Sequence, residues 1–345
     1  MPRREWLDFR ALAGTVTGET GRLTLRNILI IGGGGMVGQK LAWALSDNPL
    51  QRGDRVTLLD LAFPQNGAPV AEEVRGTVTN AGVLKRLAAK RPELVFYLVA
   101  IVSGESETNF DLGWQVNMDA FHSFLETFRA EVAASKGDYQ PKIVFTSSIA
   151  VFGAPFPDKI GDEFFRAPQT SYGAQKAISE LMLTDYIRKG FFEGVSIRLP
   201  TICVRPGKAN LAASSFFSGI IREPLNGQEA ILPVSEDTRH WHASPRSAAG
   251  FLRHAATLEQ AVYQGRPALS MPGVSCTVAE QIEALRRAAG EDAVRLIRRE
   301  PDPAIEAIVK NWPRDFAPDR AAALGFTAEK TFDEIVRVYM EEDMP

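Results

Sequence analysis

The sequence predicts an α/β fold, in which a doubly wound parallel sheet precedes a smaller C-terminal α/β region. Three observations support this prediction. Stretches of strand length alternate with segments of helical periodicity between residues 27 and 200. Those strand-like stretches are apolar at nearly every position, which is typical of parallel sheets covered by helices on both faces. Beyond Pro200 the alternation ends, and longer loops occur around Pro206-Gly207 and Pro272-Gly273.

The composition is that of an ordinary globular protein. Its 345 residues, 45% of them hydrophobic and 23% charged, suffice for one large or two modest domains. A net charge of −3 gives no indication of a nucleic acid partner, and no apolar stretch is long enough to span a bilayer. The two cysteines fit a reducing, cytoplasmic location. Residues 1–26 mix arginines with acids, so we expect an N-terminal extension and no secretory signal.

The first predicted strand, Ile28 to Ile31, runs into four consecutive glycines, and a helix follows from Met36 to Leu45. Glycine permits positive φ and lets a ligand approach the backbone closely. A helix that begins after such a turn presents free N–H groups to an anion. Gly32, Gly35 and Gly38 have G-x-x-G-x-x-G spacing, which is shifted from the usual dinucleotide-binding pattern. The turn therefore predicts a phosphate-binding loop.

The second predicted strand, Arg55 to Asp60, ends in a carboxylate 22 residues after Gly38. Dinucleotide-binding folds have the acid that binds the adenosine ribose at this position. Such a carboxylate repels a 2′-phosphate, and no lysine or arginine follows at positions 61–63 to neutralise one. Together with the glycine turn, Asp60 predicts a Rossmann-type domain that binds NAD in preference to NADP.

The remaining elements follow the same alternation. We predict a short strand ending near residues 76–78, a helix at 84–89, a strand at 94–100, one long helix at 110–134, a strand at 142–147, a helix at 171–189 and a strand at 195–199. Ser244-Pro245 predicts a helix start, and Thr277-x-x-Glu280 and Thr331-x-x-Glu334 are capping boxes. The domain boundaries that follow are an NAD-binding domain at 27–200, on which 236–262 also packs, and a mainly substrate-binding region at 201–345.

A candidate catalytic set lies at the end of the fifth predicted strand and on the helix after it. Tyr172 and Lys176 are four residues apart, so both lie on one face of that helix. Ser148 follows the strand. A phenol has an ordinary pKa near ~10, and an adjacent ammonium or an oxidised nicotinamide favours the phenolate. Tyr172 is thus a candidate general base.

These motifs resemble the extended short-chain dehydrogenase/reductase family. The resemblance runs from about Asn27 to the C-terminus and rests on the glycine turn, Val116-Asn117, Thr146-Ser147-Ser148, Phe152-Gly153, Tyr172-x-x-x-Lys176 and Arg198-Leu199-Pro200. Two positions depart from the family pattern. Thr77 stands where an adenine-contacting aspartate is usual, and Phe152 replaces a common tyrosine.

The resemblance implies a role for each matching residue. Tyr172 is the implied general base, and Lys176 holds the nicotinamide ribose and lowers the phenol pKa. Ser148 positions the substrate oxygen, and Asn117 braces the central helix and a proton-relay water. The implied NAD-binding residues, besides Tyr172 and Lys176, are Gly32, Gly35, Met36, Val37, Gly38, Asp60, Leu98, Val99, Ala100, Pro200 and Ile202.

Within the family, the segments 100–104, 198–207, 214–224 and 241–246 resemble enzymes that oxidise short sugar acids such as D-erythronate. This resemblance implies hydride transfer from the C2 hydroxyl of an aldonate to NAD, which leaves the 2-oxo acid. Such an acid needs a cationic partner, and a guanidinium fork matches a carboxylate. The candidate substrate-binding residues are Ser103, Ser148, Arg205, Arg239 and Arg246.

Three alternative functions differ in how well the sequence supports them. A nucleoside-diphosphate-sugar 4-epimerase with tightly bound NAD stays open, because it uses the same Ser148, Tyr172 and Lys176. A sugar-nucleotide 4,6-dehydratase is disfavoured, since Ile149-Ala150 stands where dehydration needs an acidic pair. A cofactor-binding regulator without catalysis is disfavoured by the intact tyrosine–lysine pair.

Other candidate residues have simpler interpretations. His240 and His242 could share a strand face, but no third metal ligand with suitable spacing is evident, so we expect no metal site and a place in the cleft wall. Cys203 lies among apolar residues with no partnered base, which favours packing. We expect a small-molecule substrate, no membrane partner, and a homodimer paired through the long central helices, as in many relatives.

Overall fold

The structure is a computed structural model that describes residues 26–207 and 214–344. Most of the predicted N-terminal extension therefore lies outside the described residues. The central sheet contains β1 (Asn27–Ile31), β2 (Arg55–Asp60), β3 (Glu72–Arg75), β4 (Leu94–Tyr97), β5 (Lys142–Ser148), β7 (Glu193–Leu199) and β11 (Ala268–Ser270). The other strands are β6 (Ile160–Gly161), β8 (Thr201–Ile202), β9 (Ala230–Leu232), β10 (Arg239–Ala243), β12 (Val274–Thr277), β13 (Ile297–Arg299) and β14 (Phe316–Ala317).

The central sheet is parallel throughout and has the strand order β11-β7-β5-β4-β1-β2-β3. From β1 the chain proceeds to β2 and β3 on one side of the sheet, and it then crosses back to β4 on the other side of β1. Parallel sheets bind ligands at this kind of switch point, beyond the carboxyl ends of the strands. The predicted doubly wound α/β fold is confirmed. Strand β11 was not predicted, because three residues after Pro267 carry too little periodicity to be recognised.

Helices cover both faces of the sheet. The α-helices of the described residues are α1 (Met36–Asp47), α2 (Ala81–Ala88), α3 (Ser103–Thr108), α4 (Phe110–Trp114), α5 (Ala120–Ala134), α6 (Ser171–Arg188), α7 (Ser215–Leu225), α8 (Pro245–Thr257), α9 (Val278–Val294), α10 (Pro303–Val309), α11 (Asp319–Ala323) and α12 (Phe332–Glu342). Side chains alternate along β1, so Ile28 and Ile30 pack in the core that contains α1 and α8. Leu29 and Ile31 pack in the opposite core with α2, α5 and α6.

The long helix predicted at 110–134 is interrupted. Between α4 and α5 the residues Gln115–Asp119 form a π-helical turn. A π-helical turn inserts one extra residue into the hydrogen-bond ladder and is frequent at functional sites. Asn117, a candidate site residue, lies in the middle of this turn.

The C-terminal region has its own core, and the described residues form three small sheets there, one of which includes β6 from the first part of the chain. Their strand orders are β12-β10-β8, β13-β9 and β14-β6. The predicted capping box at Thr277 and Glu280 is present, and Thr331 caps α12 through the N–H of Glu334. Helix α8, within the stretch 236–262, packs against the central sheet, whereas β10 joins the separate sheet with β8. Among the described residues, no helix is long and apolar enough to cross a membrane.

Candidate active site

The glycine turn lies at the carboxyl end of β1, where α1 begins. Gly32 has a φ of +90°, and an added Cβ there would lie 3.0 Å from the Val99 nitrogen. The segment that follows β4 therefore packs directly against the turn. At Gly38 an added Cβ would lie 2.3 Å from the Gly32 oxygen, which shows that helix and turn are in close contact. These two glycines are required by the packing of the protein itself.

Gly35 differs from the other glycines of the turn. It is exposed and caps α1 with an extended backbone, at φ −72° and ψ 167°. The nearest neighbour of an added Cβ would be the Gly32 oxygen, at 3.6 Å. The protein leaves this space open at a helix N-terminus, where free N–H groups favour a phosphate. The turn therefore fits the pyrophosphate of a dinucleotide, with Met36 and Val37 half-buried in the first helical turn.

Asp60 is the last residue of β2 and lies beside the glycine turn. Its carboxylate accepts hydrogen bonds from the Gly34 nitrogen at 2.9 Å and from the Leu61 nitrogen at 2.7 Å. The side chain is partly exposed, so lone pairs remain for the hydroxyls of a ribose. This placement fits the predicted role. Thr77, in the position of the missing aspartate, pairs its hydroxyl with that of Thr79 at 2.9 Å.

The segments after β4 and β7 form the remaining edges of the predicted cofactor site. Leu98, Val99 and Ala100 are half-buried and follow β4 directly, although the predicted strand extended through them. Pro200 is buried and Ile202 half-buried. Both segments lie at carboxyl ends of parallel strands of the central sheet, as predicted, and β5 lies between those two strands.

Asn117 is buried at 4% exposure and holds the end of β4 to helix α6. Its amide oxygen accepts from the Ile101 nitrogen at 2.8 Å. Its amide nitrogen donates to the Ile101 oxygen at 3.1 Å and to Gln175 Oε1 at 2.7 Å. Through these hydrogen bonds to Ile101 and Gln175, Asn117 can brace the central helix as expected. Gln175 was missed by sequence reasoning, because no local pattern distinguishes it from other helical glutamines.

Tyr172 lies in the first turn of α6, just after the cap formed by Thr170 Oγ1 and the Gly173 nitrogen. Burial raises the pKa of Tyr172 to about 12, and a hydrogen bond with Ser148 partly lowers it. The net shift of the pKa is opposite to the one expected from the sequence, because burial disfavours the phenolate more than its neighbours favour it. Ser148 also accepts from the Ala150 nitrogen at 3.1 Å, which orients its hydroxyl.

Lys176 lies one turn further along α6 and is 3% exposed. Its ammonium donates to the Thr146 oxygen at 2.8 Å and lies 5.7 Å from the centroid of the Tyr172 ring. Burial lowers the pKa of Lys176 to about 7, and the charge of Glu180 raises it in part. The structure therefore brings Ser148, Tyr172 and Lys176 together, and places a carboxylate behind them.

That carboxylate, Glu180, was missed by sequence reasoning, although its position four residues after Lys176 was visible. It is fully buried and binds Arg198 through two hydrogen bonds of 2.9 and 2.8 Å. The Arg198 guanidinium also lies 5.0 Å from the centroid of the Phe152 ring. Phenylalanine at position 152 thus packs beneath an arginine within the fold.

The candidate substrate-binding residues fall into two groups. Ser103 begins α3, and Arg205 follows β8, so both lie beyond strand ends of the cofactor site. Arg205 is half-buried and donates to Ser214 Oγ at 3.1 Å, and no carboxylate pairs with it in the described part of the chain. Burial lowers the pKa of Arg205.

Arg239 and Arg246 already have carboxylate partners. Arg239 lies 3.2 Å from Glu280, and Arg246 lies 2.8 Å from Glu341 and 2.6 Å from Glu342. Both guanidiniums therefore have a competing carboxylate partner within the fold, and their binding of a substrate acid stays a prediction. Their partners are 41 or more positions away, so sequence spacing could not reveal the pairs.

His240 and His242 are buried in the C-terminal core, so their expected place in a cleft wall is wrong. Their rings lie 5.2 and 4.8 Å from the Phe217 ring, measured between centroids. His240 pairs with Thr201 Oγ1 at 2.6 Å, and burial lowers its pKa to about 4. Among the described residues, no group of three or more metal-ligating side chains is assembled.

Comparison with known proteins agrees with this geometry. The sequence profile of the NAD dependent epimerase/dehydratase family matches residues 28–255. D-erythronate dehydrogenase from Cupriavidus necator is 44% identical over 92% of this chain and 98% of its own length. The enzyme of that name from Haemophilus influenzae is 37% identical over 92% of this chain and 99% of its own length.

The fold also matches solved structures. A crystal structure of the nucleoside-diphosphate-sugar epimerase from Agrobacterium tumefaciens is 50% identical, covers 94% of this chain and 98% of that chain, and superposes with a TM-score of 0.87. Family profile, relatives and fold all point to an NAD-dependent enzyme with a Rossmann-type sheet. The chain belongs to the NAD dependent epimerase/dehydratase family, and it is an NAD-dependent dehydrogenase of the extended short-chain dehydrogenase/reductase type.

Proposed function

We propose that this enzyme oxidises the C2 hydroxyl of a short, D-erythronate-like aldonate to the 2-oxo acid, with Tyr172 as general base. The observation that carries this proposal is the half-buried Arg205, which has no carboxylate partner among the described residues. A guanidinium withdrawn from water in this way favours an anionic ligand. The names of the two relatives from C. necator and H. influenzae support the same substrate class.

The residues of the site supply each function that the oxidation needs. The Ser148 hydroxyl is near enough to the Tyr172 phenol to lower its pKa, so the hydroxyl of a substrate placed between them can lose its proton to the phenolate. Lys176 adds positive charge one turn away, which stabilises that phenolate. When bound, NAD supplies the hydride acceptor and a positively charged nicotinamide ring. The glycine turn and Asp60 would hold its pyrophosphate and adenosine ribose.

Arg205 would hold the substrate carboxylate. In an aldonate the carboxylate is bonded to the reacting C2, so its cationic partner has to lie close to the catalytic groups. Arg205 lies three residues after Ile202, the last residue of the segment that is expected to contact the nicotinamide. Its backbone is fixed by Ser218 Oγ, which accepts from the Arg205 nitrogen at 3.0 Å, and by Arg222, which donates to its oxygen at 2.8 Å. The guanidinium is thus presented from an anchored loop.

The test is initial-rate NADH formation with a panel of four- to six-carbon aldonates. Replacing Arg205 by alanine should raise KM for the preferred aldonate by about 10- to 150-fold, the equivalent of about 1.5–3 kcal/mol for a hydrogen-bonded charge. The Kd for NAD should stay unchanged. Arg287→Ala, which removes an exposed arginine paired with Asp333, is the matched control. An unchanged KM in Arg205→Ala would contradict this placement of the carboxylate.

A second candidate function is the 4-epimerisation of a nucleoside-diphosphate sugar. The 50% identical A. tumefaciens structure carries that name, and the same three catalytic residues serve both reactions. UDP- and GDP-sugars therefore belong in the assay panel. Isomerisation of a nucleotide sugar without net NADH release, combined with no turnover of aldonates, would replace the first proposal with the second.

A further inference from the structure

A buried carboxylate network lies directly behind the catalytic groups. Glu180 has no exposed surface and accepts four hydrogen bonds from three side chains. Ser147 Oγ donates at 2.6 Å, Arg166 Nη1 at 3.0 Å, and Arg198 donates from Nε at 2.9 Å and from Nη2 at 2.8 Å. A buried charge is costly unless it is paired and hydrogen-bonded, and here both conditions are met.

This network joins the separate elements that carry the catalytic residues. Ser147 immediately precedes Ser148 on β5 and is the register partner of Arg198 on β7. Arg198 lies two residues before Pro200. Glu180 is on α6, four residues after Lys176 and eight after Tyr172, so the three side chains lie along one face of the helix.

We propose that Glu180 is a positioning residue, which holds Tyr172 and Lys176 of α6 in register with Ser148 on β5 and Pro200 after β7. The proposal deepens the proposed dehydrogenase and rests on the same catalytic set. It assigns Glu180 no contact with substrate or cofactor. Its effect passes through the helix and through the two strand ends that its carboxylate ties together.

The charge of Glu180 has a second consequence for Lys176. Tyr172 and Glu180 of α6 act on that ammonium, and the Glu180 carboxylate in turn binds Arg198 of β7 and Arg166 in the loop before α6. Burial lowers the pKa of Lys176 to about 7 and Glu180 raises it. Without the Glu180 charge, Arg166 and Arg198 are uncompensated, and the pKa of Lys176 falls further. Less of the lysine is then charged near neutral pH.

The test compares Glu180→Gln with Asp185→Asn. The second variant removes an exposed carboxylate on the same helix, which pairs with Arg188 at 2.6 Å. Glu180→Gln keeps the shape of the side chain and should lower kcat by about 10- to 100-fold, the scale of misplacing reacting groups by about 1 Å. It should raise KM much less. Asp185→Asn should behave as wild type.

A second readout does not depend on turnover. The Kd for NAD, measured by calorimetry, should rise as the pH is raised through the titration of Lys176. The ammonium is the expected ribose ligand, and it loses its charge in this pH range. In Glu180→Gln the midpoint should move to lower pH by at least about 0.5 unit. The wild type could bind NAD with this pH dependence and yet oxidise no aldonate. In that case the proposed substrate is wrong, and the midpoint of NAD binding in Glu180→Gln still tests the positioning role.

Two outcomes would overturn the proposal. The first is a Glu180→Gln protein with a lower melting temperature but wild-type kcat and midpoint, since that pattern indicates a purely structural ion pair. If Glu180→Gln does not fold, Ser147→Ala decides, because it removes one of the four hydrogen bonds and no charge. It should lower kcat by about three- to tenfold, the scale of one hydrogen bond. Wild-type kcat in Ser147→Ala is the second overturning outcome.

Discussion

Two glycines of the same turn should respond in opposite ways to the addition of one methyl group. Gly35→Ala should fold normally and lose NAD affinity, whereas Gly38→Ala should lose stability. The difference follows from where each added Cβ would lie. At Gly35 it faces open space, with the Gly32 oxygen 3.6 Å away, and at Gly38 it meets that oxygen at 2.3 Å and the Gly33 Cα at 2.8 Å.

The magnitudes for Gly38→Ala come from this close contact. An ordinary contact needs about 3.4 Å or more, so helix α1 or the turn would have to move by about 1 Å. Forcing an additional methyl group into a packed site costs about 1–3 kcal/mol of unfolding free energy. The melting temperature should fall by several degrees, with or without NAD.

For Gly35→Ala two small effects on stability oppose each other. Alanine reduces the entropy of the unfolded chain, worth about 0.4–1 kcal/mol, because the extended backbone at Gly35 suits it. Alanine is also a poorer N-cap than glycine, which offsets a similar amount. The unfolding free energy should therefore stay within about 1 kcal/mol of wild type. The methyl group occupies the space expected for the pyrophosphate, and loss of one hydrogen bond to a charged group would raise the Kd for NAD by about 10- to 150-fold.

The assay is urea unfolding of each variant without cofactor, together with NAD titration calorimetry. Gly250→Ala is a useful control, since it alters a glycine of helix α8 where an added Cβ would meet no atom within 4 Å. Wild-type NAD affinity in Gly35→Ala would refute the placement of the pyrophosphate at this helix N-terminus. Wild-type stability in Gly38→Ala would refute the packing argument.

Four further predictions concern Asp60, Tyr172 and the buried His240. Asp60→Ala should narrow the preference for NAD over NADP, chiefly by weakening NAD binding; comparable kcat/KM for both cofactors in the wild type would contradict the role of Asp60. Tyr172→Phe should lower kcat by about 10²–10⁴-fold with an unchanged Kd for NAD. Because the pKa of Tyr172 is raised to about 12, the wild-type oxidation rate should increase with pH as more phenolate forms. Burial lowers the pKa of His240 from 6.5 to about 4. Between these two pH values the imidazole is therefore protonated in the unfolded chain and neutral in the folded protein. The free energy of unfolding by urea should therefore fall as pH is lowered through this window, and His240→Gln should reduce that dependence.

The sequence by itself determined the fold class and the main features of the cofactor site. Each of these features depends on short-range geometry. The glycine spacing sets the turn after β1, strand length places Asp60 at a carboxyl end, and helical periodicity puts Tyr172 and Lys176 on one face. The single helix predicted at 110–134 was wrong at its π-helical turn, because the insertion of one residue leaves the apolar periodicity nearly unchanged.

Tertiary structure decided which charged side chains are free and which are paired. From sequence, Arg205 was the first candidate for binding a substrate acid, ahead of Arg239 and Arg246. The structure shows carboxylate partners for Arg239 and Arg246, and none for Arg205 among the described residues. Burial reversed the expected direction of the Tyr172 pKa shift, and it placed Glu180 at the centre of a network. Ion pairing and desolvation depend on what the folded chain brings into contact, and residues tens of positions apart leave no local pattern by which sequence could report them.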